Sequence, residues 1–144
     1  MLETKTITKI FIVNEYDEIL VLHRSAYPAH PEKSYKPDIP GGHVDPGEIE
    51  HAAVVRELLE ETGLVIPAHD ARLSYAATEA YGGTHPASIT RLLYVAYIAG
   101  RPDVALSYEH EAYFWVPKNE VLASHPLGKF YAEGLQYLLD HQLI

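Results

Sequence analysis

Residues 42–64 read GHVDPGEIEHAAVVRELLEETGL. Pro46-Gly47 opens a turn, a helical pattern follows from Glu48 to Thr62, and Gly63 stands where a helix stops. At about 100° per residue with Glu57 set at zero, Glu60 falls near −60°, Glu61 near +40° and Glu50 near +20°. Val55, Leu59 and Ala52 fall on the opposite side, flanked by Leu58 and Thr62. The pattern therefore predicts a core stripe on Val55 and Leu59 and a carboxylate face in which Ala53 leaves space.

That face is electrostatically uncomfortable. Glu60 and Glu61 lie in the last turn, at the negative end of the helix dipole, where Lys or Arg is favoured. Like charges three and four residues apart repel. Two of them about 5 Å apart at an effective dielectric of about 20 cost roughly 3 kcal/mol, and less than 1 in full solvent. Arg56 is expected to relieve one carboxylate but not three, whereas a bound divalent cation relieves all of them. An all-oxygen donor set without cysteine favours Mg²⁺, with Mn²⁺ as a substitute.

Working outward, Pro40-Gly41-Gly42 puts permissive backbone beside the loop that starts the helix, where a ligand or metal can approach closely. Ile7–Val13 and Ile19–His23 read as strands joined at Asn14-Glu15-Tyr16-Asp17. Ser25–Pro37, with three prolines, reads as a loop, and Asp38-Ile39-Pro40 as a short strand. Leu64–Ile66 reads as another short strand. Leu73–Tyr81 and Ser88–Ile98 form a second hairpin, followed by a strand at Tyr113–Val116. A terminal helix spans Leu127–His141, with Phe130, Tyr131, Leu135, Leu138 and Leu139 on one side; this face is expected to pack on the sheet and is also a candidate homodimer surface. Strands flanking a central helix, with a second helix at the end, predict an α/β fold: a mixed sheet with helices on its faces.

The 144 residues suit one domain, 1–144. The formal net charge is −9, and 42–64 alone hold six acids and one base. An acidic chain does not suit general nucleic-acid binding, which needs basic surface. It leaves open a phosphate ligand held through a metal. Absence of cysteine removes disulfides, thiolate zinc sites and a cysteine nucleophile. The start of the chain lacks a signal-peptide core and no apolar stretch is long enough to span a bilayer, so a protein of the cytoplasm without membrane attachment is expected.

The spacing of Gly42, Glu48, Arg56-Glu57-Leu58, Glu60-Glu61 and Gly63-Leu64 resembles the Nudix box of the Nudix hydrolases at all nine specified positions. A chance match is on the order of 10⁻⁸ for a chain of this length. The resemblance implies an α/β/α sandwich around a mixed sheet, with the box as loop-helix-loop. It implies metal-assisted hydrolysis of a nucleoside diphosphate linked to another moiety. Carried over, Glu57, Glu60 and Glu61 are metal ligands, the carbonyl of Gly41 or Gly42 is a further one, and Glu48 and Arg56 orient the box through a salt bridge. Glu57 is the first candidate for accepting the proton of the attacking water. Glu109 and Glu111, on a later loop, are the second candidates, with Glu111 placed slightly ahead.

Substrate contacts are expected from Arg24, at the end of a strand, from Lys33, Tyr35 and Lys36, in the loop before Pro40, and from Tyr81, His85 and Arg91 around the second hairpin. Tyr81, 17 residues after Leu64, resembles a feature of diadenosine-polyphosphate-cleaving members. The proline of the ADP-ribose subgroup is absent, since Glu79 and Ala80 stand there, and the signature of the coenzyme A subgroup is not visible. A nucleoside triphosphate or similar small nucleotide remains. The histidines show no paired metal spacing and are expected mostly at the surface. His43, beside the box glycines, could reach phosphates, and His110, between the two loop glutamates, could tune a proton transfer. A non-catalytic nucleotide-binding module is the alternative, though such modules tend to lose box carboxylates.

Overall fold

The computed structural model describes residues 2–144. Strand β1 (Glu3–Asn14) runs parallel to β6 (Ala87–Ile98) over its full length, from Glu3↔Ala87 to Asn14↔Ile98. The β1 run from Thr8 to Asn14 is buried throughout, as a central strand covered on both faces requires. On the far side of β6 lies β5 (Arg72–Tyr81), antiparallel to it. Strand β2 (Glu18–Arg24) joins β1 only at Val13↔Ile19, then diverges to pair with β7 (His110–Pro117).

The divergence opens a fork, and the chain from Pro37 to His43 enters it. Strand β3 (Pro37–Asp38) pairs with β2 at Leu22↔Asp38, and β4 (Gly41–His43) pairs with β1 at Lys9↔Gly41 and Thr8↔Gly42. The Ile10 N–H donates to the Pro40 carbonyl at 2.9 Å. The box glycines are thus stitched to the central strand.

Alternation along the strands makes two cores. Phe11, Val13, Val21, Leu93 and Val95 pack with Leu135 and Leu138 of α3 (Lys129–Asp140). Ile10, Ile12, Leu20, Leu22 and Tyr94 pack with Val54 and Leu58 of α1 (Glu50–Thr62). Each fully buried Leu, Ile or Phe contributes about 1.5–3 kcal/mol relative to exposure. A short helix, α2 (Val121–Ser124), links β7 to α3. The result is the mixed sheet between helices that the sequence predicts.

Three local expectations are corrected. Leu64–Ile66 is not a strand; Ile66 reaches the core, but the segment forms no ladder before Pro67. The hairpin at Asn14–Asp17 is real at its turn, where Asp17 takes φ of 58°, but its strands part after one pair because the fork is filled by β3 and β4. The α1 core stripe is rotated: Ala53, Val54, Leu58, Glu61 and Thr62 are buried, while Leu59 is 49% exposed. The cause is the docking partner. Helix α1 packs on β4 and β1 with Val54 and Leu58 set into the core beside Ile10 and Ile12, which turns Glu61 toward Gly41 and leaves Leu59 outside.

The apolar residues Phe130, Tyr131, Leu135, Leu138 and Leu139 of α3 pack on the sheet. No helix among the described residues is long and apolar enough to cross a membrane.

Candidate active site

Helix α1 ends at Gly63, whose φ of 74° and N–H bond to the Leu59 carbonyl close the helix. The carbonyls just before it are met by a second segment: Ala105 N–H donates to Thr62 O at 2.9 Å and Ser107 N–H to Glu61 O at 3.4 Å. The Ser25 N–H then donates to Glu109 O at 3.0 Å. These bonds bring the end of α1, the loop before β7 and the end of β2 to one place.

Arg56 stands at the rim. Its Nε donates to Glu48 Oε2 at 2.7 Å, and Nη1 reaches Glu57 at 3.1 Å and Glu60 at 3.2 Å. Nη2 donates to the His43 carbonyl at 3.3 Å, so the guanidinium also ties the box loop to the helix. The expected Glu48–Arg56 bridge is present. Arg56 does more than relieve the single carboxylate expected of it: its planar fork reaches Glu57 and Glu60 as well as Glu48 and, at 3.6 Å, Asp45, but not Glu61. Its bonds to Glu48 and Glu60 hold the guanidinium firmly charged against the opposing cost of burial, and Arg56 in turn holds the Glu48 carboxyl below its usual range.

Glu61 is different. It is 2% exposed, and its nearest donor is the Gly41 N–H, at 3.4 Å from Oε2. Burial pushes its carboxyl up to about 8; Lys9 opposes the shift, and Asp38, Glu57 and Glu109 add to it. Beneath it lies a buried cluster. Lys9 Nζ donates to Asp38 Oδ1 at 2.6 Å and to the Ile39 carbonyl at 3.0 Å. His110 Nε2 meets Asp38 Oδ2 at 3.0 Å, and Arg24 approaches the same oxygen at 3.5 Å. Burial would raise the Asp38 carboxyl, but Lys9, His110 and Arg24 together hold it well below the carboxylate range.

The donors here are carboxylate and backbone oxygens, the kind a hard cation takes. A Cβ on Gly42 would lie 2.8 Å from the Glu57 carboxylate, so glycine there keeps the space in front of that group. The helix end carries three carboxylates without a basic residue in its last turn. Among the described residues no three His, Cys, Asp or Glu side chains converge at metal-holding spacing: Glu57 and Glu60 turn onto Arg56, and Glu61 turns toward Gly41.

The other predicted residues fall in separate places. Glu109 lines a cleft of about 300 Å³ with Arg24, Ser25, Tyr27 and Tyr108, and its charge acts on Glu61. Glu111 sits at a β-bulge, since His23 pairs with Ala112 and Arg24 with His110; its charge acts on His23 instead. Tyr81 and Arg91 line a larger cleft of about 540 Å³ with Thr78, Phe130 and Tyr131 at the start of α3. Arg91 donates to the Tyr81 hydroxyl at 3.4 Å, and that hydroxyl donates to Glu79 at 2.9 Å. Lys9 lies 5.7 Å from the Tyr131 ring, which links this cleft to the buried cluster. Tyr35, Lys36, His43 and His85 are exposed, and Lys33 lies 6.0 Å from the Tyr27 ring.

Lys9, Asp38 and the burial of His110 are what sequence reasoning missed. One signal was available, since Lys9 interrupts an otherwise apolar strand centre. The inward turn of His110 depends on the bulge at Glu111, which leaves no mark in local periodicity.

Comparison with known proteins bears on the family and the fold. Over 54 residues the chain is 44% identical to a putative 8-oxo-dGTP diphosphatase of Bacillus subtilis (strain 168), a match covering 38% of this chain and 32% of that protein. The alignment thus spans about a third of the relative's length. The fold is similar to the crystal structure of a MutT protein from Methanosarcina mazei Go1, with TM-score 0.78, 25% identity and coverage of 98% and 96% of the two chains. It is also similar to a C. elegans Ap4A hydrolase, with TM-score 0.65, 23% identity and coverage of 99% and 98%. The NUDIX domain model matches residues 4–138, and the chain belongs to the Nudix family.

Proposed function

We propose that this Nudix domain is a divalent-metal-dependent pyrophosphohydrolase that splits a phosphoric anhydride bond of a nucleoside triphosphate or similar small nucleotide. The observation that carries this reading is the buried Glu61 carboxylate beside Glu57 and Gly42, a hard oxygen set at a helix end with too little positive charge. Glu57, Glu60 and Glu61 would hold the ion, with the Gly41 backbone beside them. Mg²⁺, or Mn²⁺ in its place, supplies neutralisation of phosphate charge and acidification of a water.

The chain's residues do the rest. Glu57 is the first candidate to accept the proton of the attacking water. Of the loop glutamates, Glu109 is favoured over Glu111, because its charge acts on Glu61 while that of Glu111 acts on His23. Arg24, paired with Asp38 and lining the cleft with Glu109, is placed to meet a phosphate. Tyr81, Arg91 and Tyr131 offer the nucleoside aromatic faces and a held guanidinium. Tyr35 and Lys36 are outer contacts from an exposed loop. The name of the Bacillus subtilis relative supports a nucleoside triphosphate with an oxidised purine as the first substrate to try. Work in the cytoplasm fits an acidic, cysteine-free chain.

Tyr81 within the larger cleft favours a second reading, a dinucleoside polyphosphate hydrolase. Both are tested by incubating the protein with Mg²⁺ and canonical, oxidised and sugar-linked nucleotides and dinucleoside polyphosphates, with products identified. Nucleoside monophosphate and pyrophosphate from a triphosphate support the first reading. Preferential cleavage of a dinucleoside polyphosphate supports the second. Binding without any phosphate product overturns both and leaves a nucleotide-binding module.

A further inference from the structure

Lys9, Asp38, Glu61 and His110 are buried together beneath the box, and they come from four distant segments: β1, β3, α1 and β7. Burying a charge is costly unless it is paired and hydrogen-bonded. Asp38 uses both oxygens, one for Lys9 at 2.6 Å and one for His110 at 3.0 Å. Paired with Lys9, the Asp38 carboxylate is ionised and can only accept. The hydrogen between it and His110 therefore sits on Nε2. In the neutral ring the other nitrogen, Nδ1, is then bare. It is buried, has no hydrogen-bond partner and lies 3.9 Å from Glu61 Oε2.

A bare nitrogen has nothing to donate to Glu61. The opposite tautomer would turn an N–H toward that carboxylate, a few tenths of an ångström outside hydrogen-bond range, where a small shift of either side chain would cap the oxygen a metal ion needs. We propose that Lys9 and Asp38 are positioning residues that lock His110 in its Nε2–H tautomer, and so keep Glu61 uncapped and turned toward Gly41 for metal binding. The proposal rests on the reading of Glu61 as a metal ligand. Lys9 serves it twice, since the same ammonium holds the Ile39 carbonyl just before Pro40-Gly41. None of the three side chains needs to touch substrate.

The test uses the full chain labelled with ¹⁵N-histidine. In the metal-free wild-type protein His110 is expected as the Nε2–H tautomer, with its Nδ1 resonance moving when Mg²⁺ is added. An Nδ1–H tautomer in the wild type, or a ring protonated at both nitrogens, overturns the proposal, and this reading depends on no variant folding. Asp38→Asn can donate to Nε2 and flip the ring. It should show the Nδ1–H tautomer and bind Mn²⁺ at least tenfold more weakly by calorimetry. Adding His110→Phe to Asp38→Asn removes the capping donor and should restore most of the Mn²⁺ affinity. A purely structural role predicts a double variant worse than the single one, and that result overturns the proposal. Glu61→Gln separates the two possible failures. Unchanged Mn²⁺ affinity in that variant overturns the ligand reading itself. A loss there with none in Asp38→Asn overturns only the positioning chain.

Discussion

Arg56 gathers Glu48, Glu57 and Glu60 at the rim of the site, whereas Lys9 faces Asp38 and Glu61 in its interior. The rim cluster uses a planar five-donor fork, is partly solvated, and ties the box loop to the helix. The interior cluster uses a point charge with one ion-pair partner and leaves the second carboxylate without a full counter-charge. The difference shows where a metal ion is most needed. At the rim, Arg56 already supplies positive charge, and the proposed ion would compete with it for Glu57 and Glu60. In the interior, Glu61 has only a distant ammonium and one backbone N–H.

The strongest way to break this contrast is to remove the rim carboxylates. Glu57→Gln and Glu60→Gln each delete a proposed metal ligand while keeping side-chain size. Each should lower turnover by about 10²–10⁴-fold, the range for loss of a directly acting group. The fold should persist, because Glu60 is exposed and Glu57 only half-buried. Near-wild-type rates in Mg²⁺ for both variants would remove the site from Glu57 and Glu60 altogether.

The two box glycines sharpen the contrast next. A Cβ on Gly41 would stand 2.0 Å from the Thr8 carbonyl oxygen, on a backbone with φ of +144°. Neither can give way cheaply, so Gly41→Ala should destabilise the fold by about 3 kcal/mol or more, read as a lowered denaturation midpoint. The nearest atoms to a Cβ on Gly42 are the end of the Glu57 side chain, which can move. Gly42→Ala should therefore keep most of its stability and lose about tenfold in turnover as that carboxylate shifts. Equal stability losses in the two variants would contradict this division.

A titration probes the interior alone. In the metal-free protein Glu61 binds its proton up to about pH 8, against an ordinary value of 4.5. Between those values the native state holds a proton that the unfolded chain has lost, so stability falls as pH rises through this window. Asp38 has the opposite sign. Its folded value is depressed, so its contribution is present above about pH 4 and is lost only as pH falls through that lower value, outside the Glu61 window. Metal must displace the Glu61 proton, so apparent Mg²⁺ affinity should rise about tenfold per pH unit up to about 8 and then level off. Glu61→Gln should abolish both slopes. A flat affinity between pH 6 and 8 in the wild-type protein would show that Glu61 is already ionised there.

The rim was legible in the sequence and the interior was not, for a physical reason. Glu57, Glu60, Glu61 and Arg56 share one helix, so 3.6-residue periodicity brings them together before any tertiary structure is known. The same periodicity misjudged which sector is buried. Hydrophobicity pointed to Val55 and Leu59, but burial was decided by how α1 docks on β4 and β1, with Val54 and Leu58 inward. Lys9, Asp38 and His110 meet only because β1 and β2 part, β3 and β4 enter the fork, and a bulge at Glu111 turns His110 inward. None of those events is local. The loop glutamates show the same limit: Glu109 and Glu111 are two residues apart in sequence, yet the bulge directs one charge to Glu61 and the other to His23.

The smallest expected effect tests the rim cation itself. Replacing Arg56 by Met keeps the aliphatic stem and deletes the fork, leaving Glu48, Glu57 and Glu60 to repel one another. Partly solvated pairs are worth little singly, so the loss should come from the network rather than from any one bridge. In metal-free protein a fall in Tm of about 3–6 °C is expected, the shift that roughly 1–2 kcal/mol produces in a domain of this size. Added Mg²⁺ should recover much of it, because the ion then neutralises Glu57 and Glu60 in place of the guanidinium. The loop is another matter. Arg56 also holds the His43 carbonyl at 3.3 Å, and a metal on the carboxylates cannot replace that donor. Saturating Mg²⁺ should therefore restore stability more completely than turnover. A variant whose Tm deficit is the same with and without Mg²⁺ would mean that Arg56 and the ion do not share ligands, and the competition assigned to the rim would be wrong.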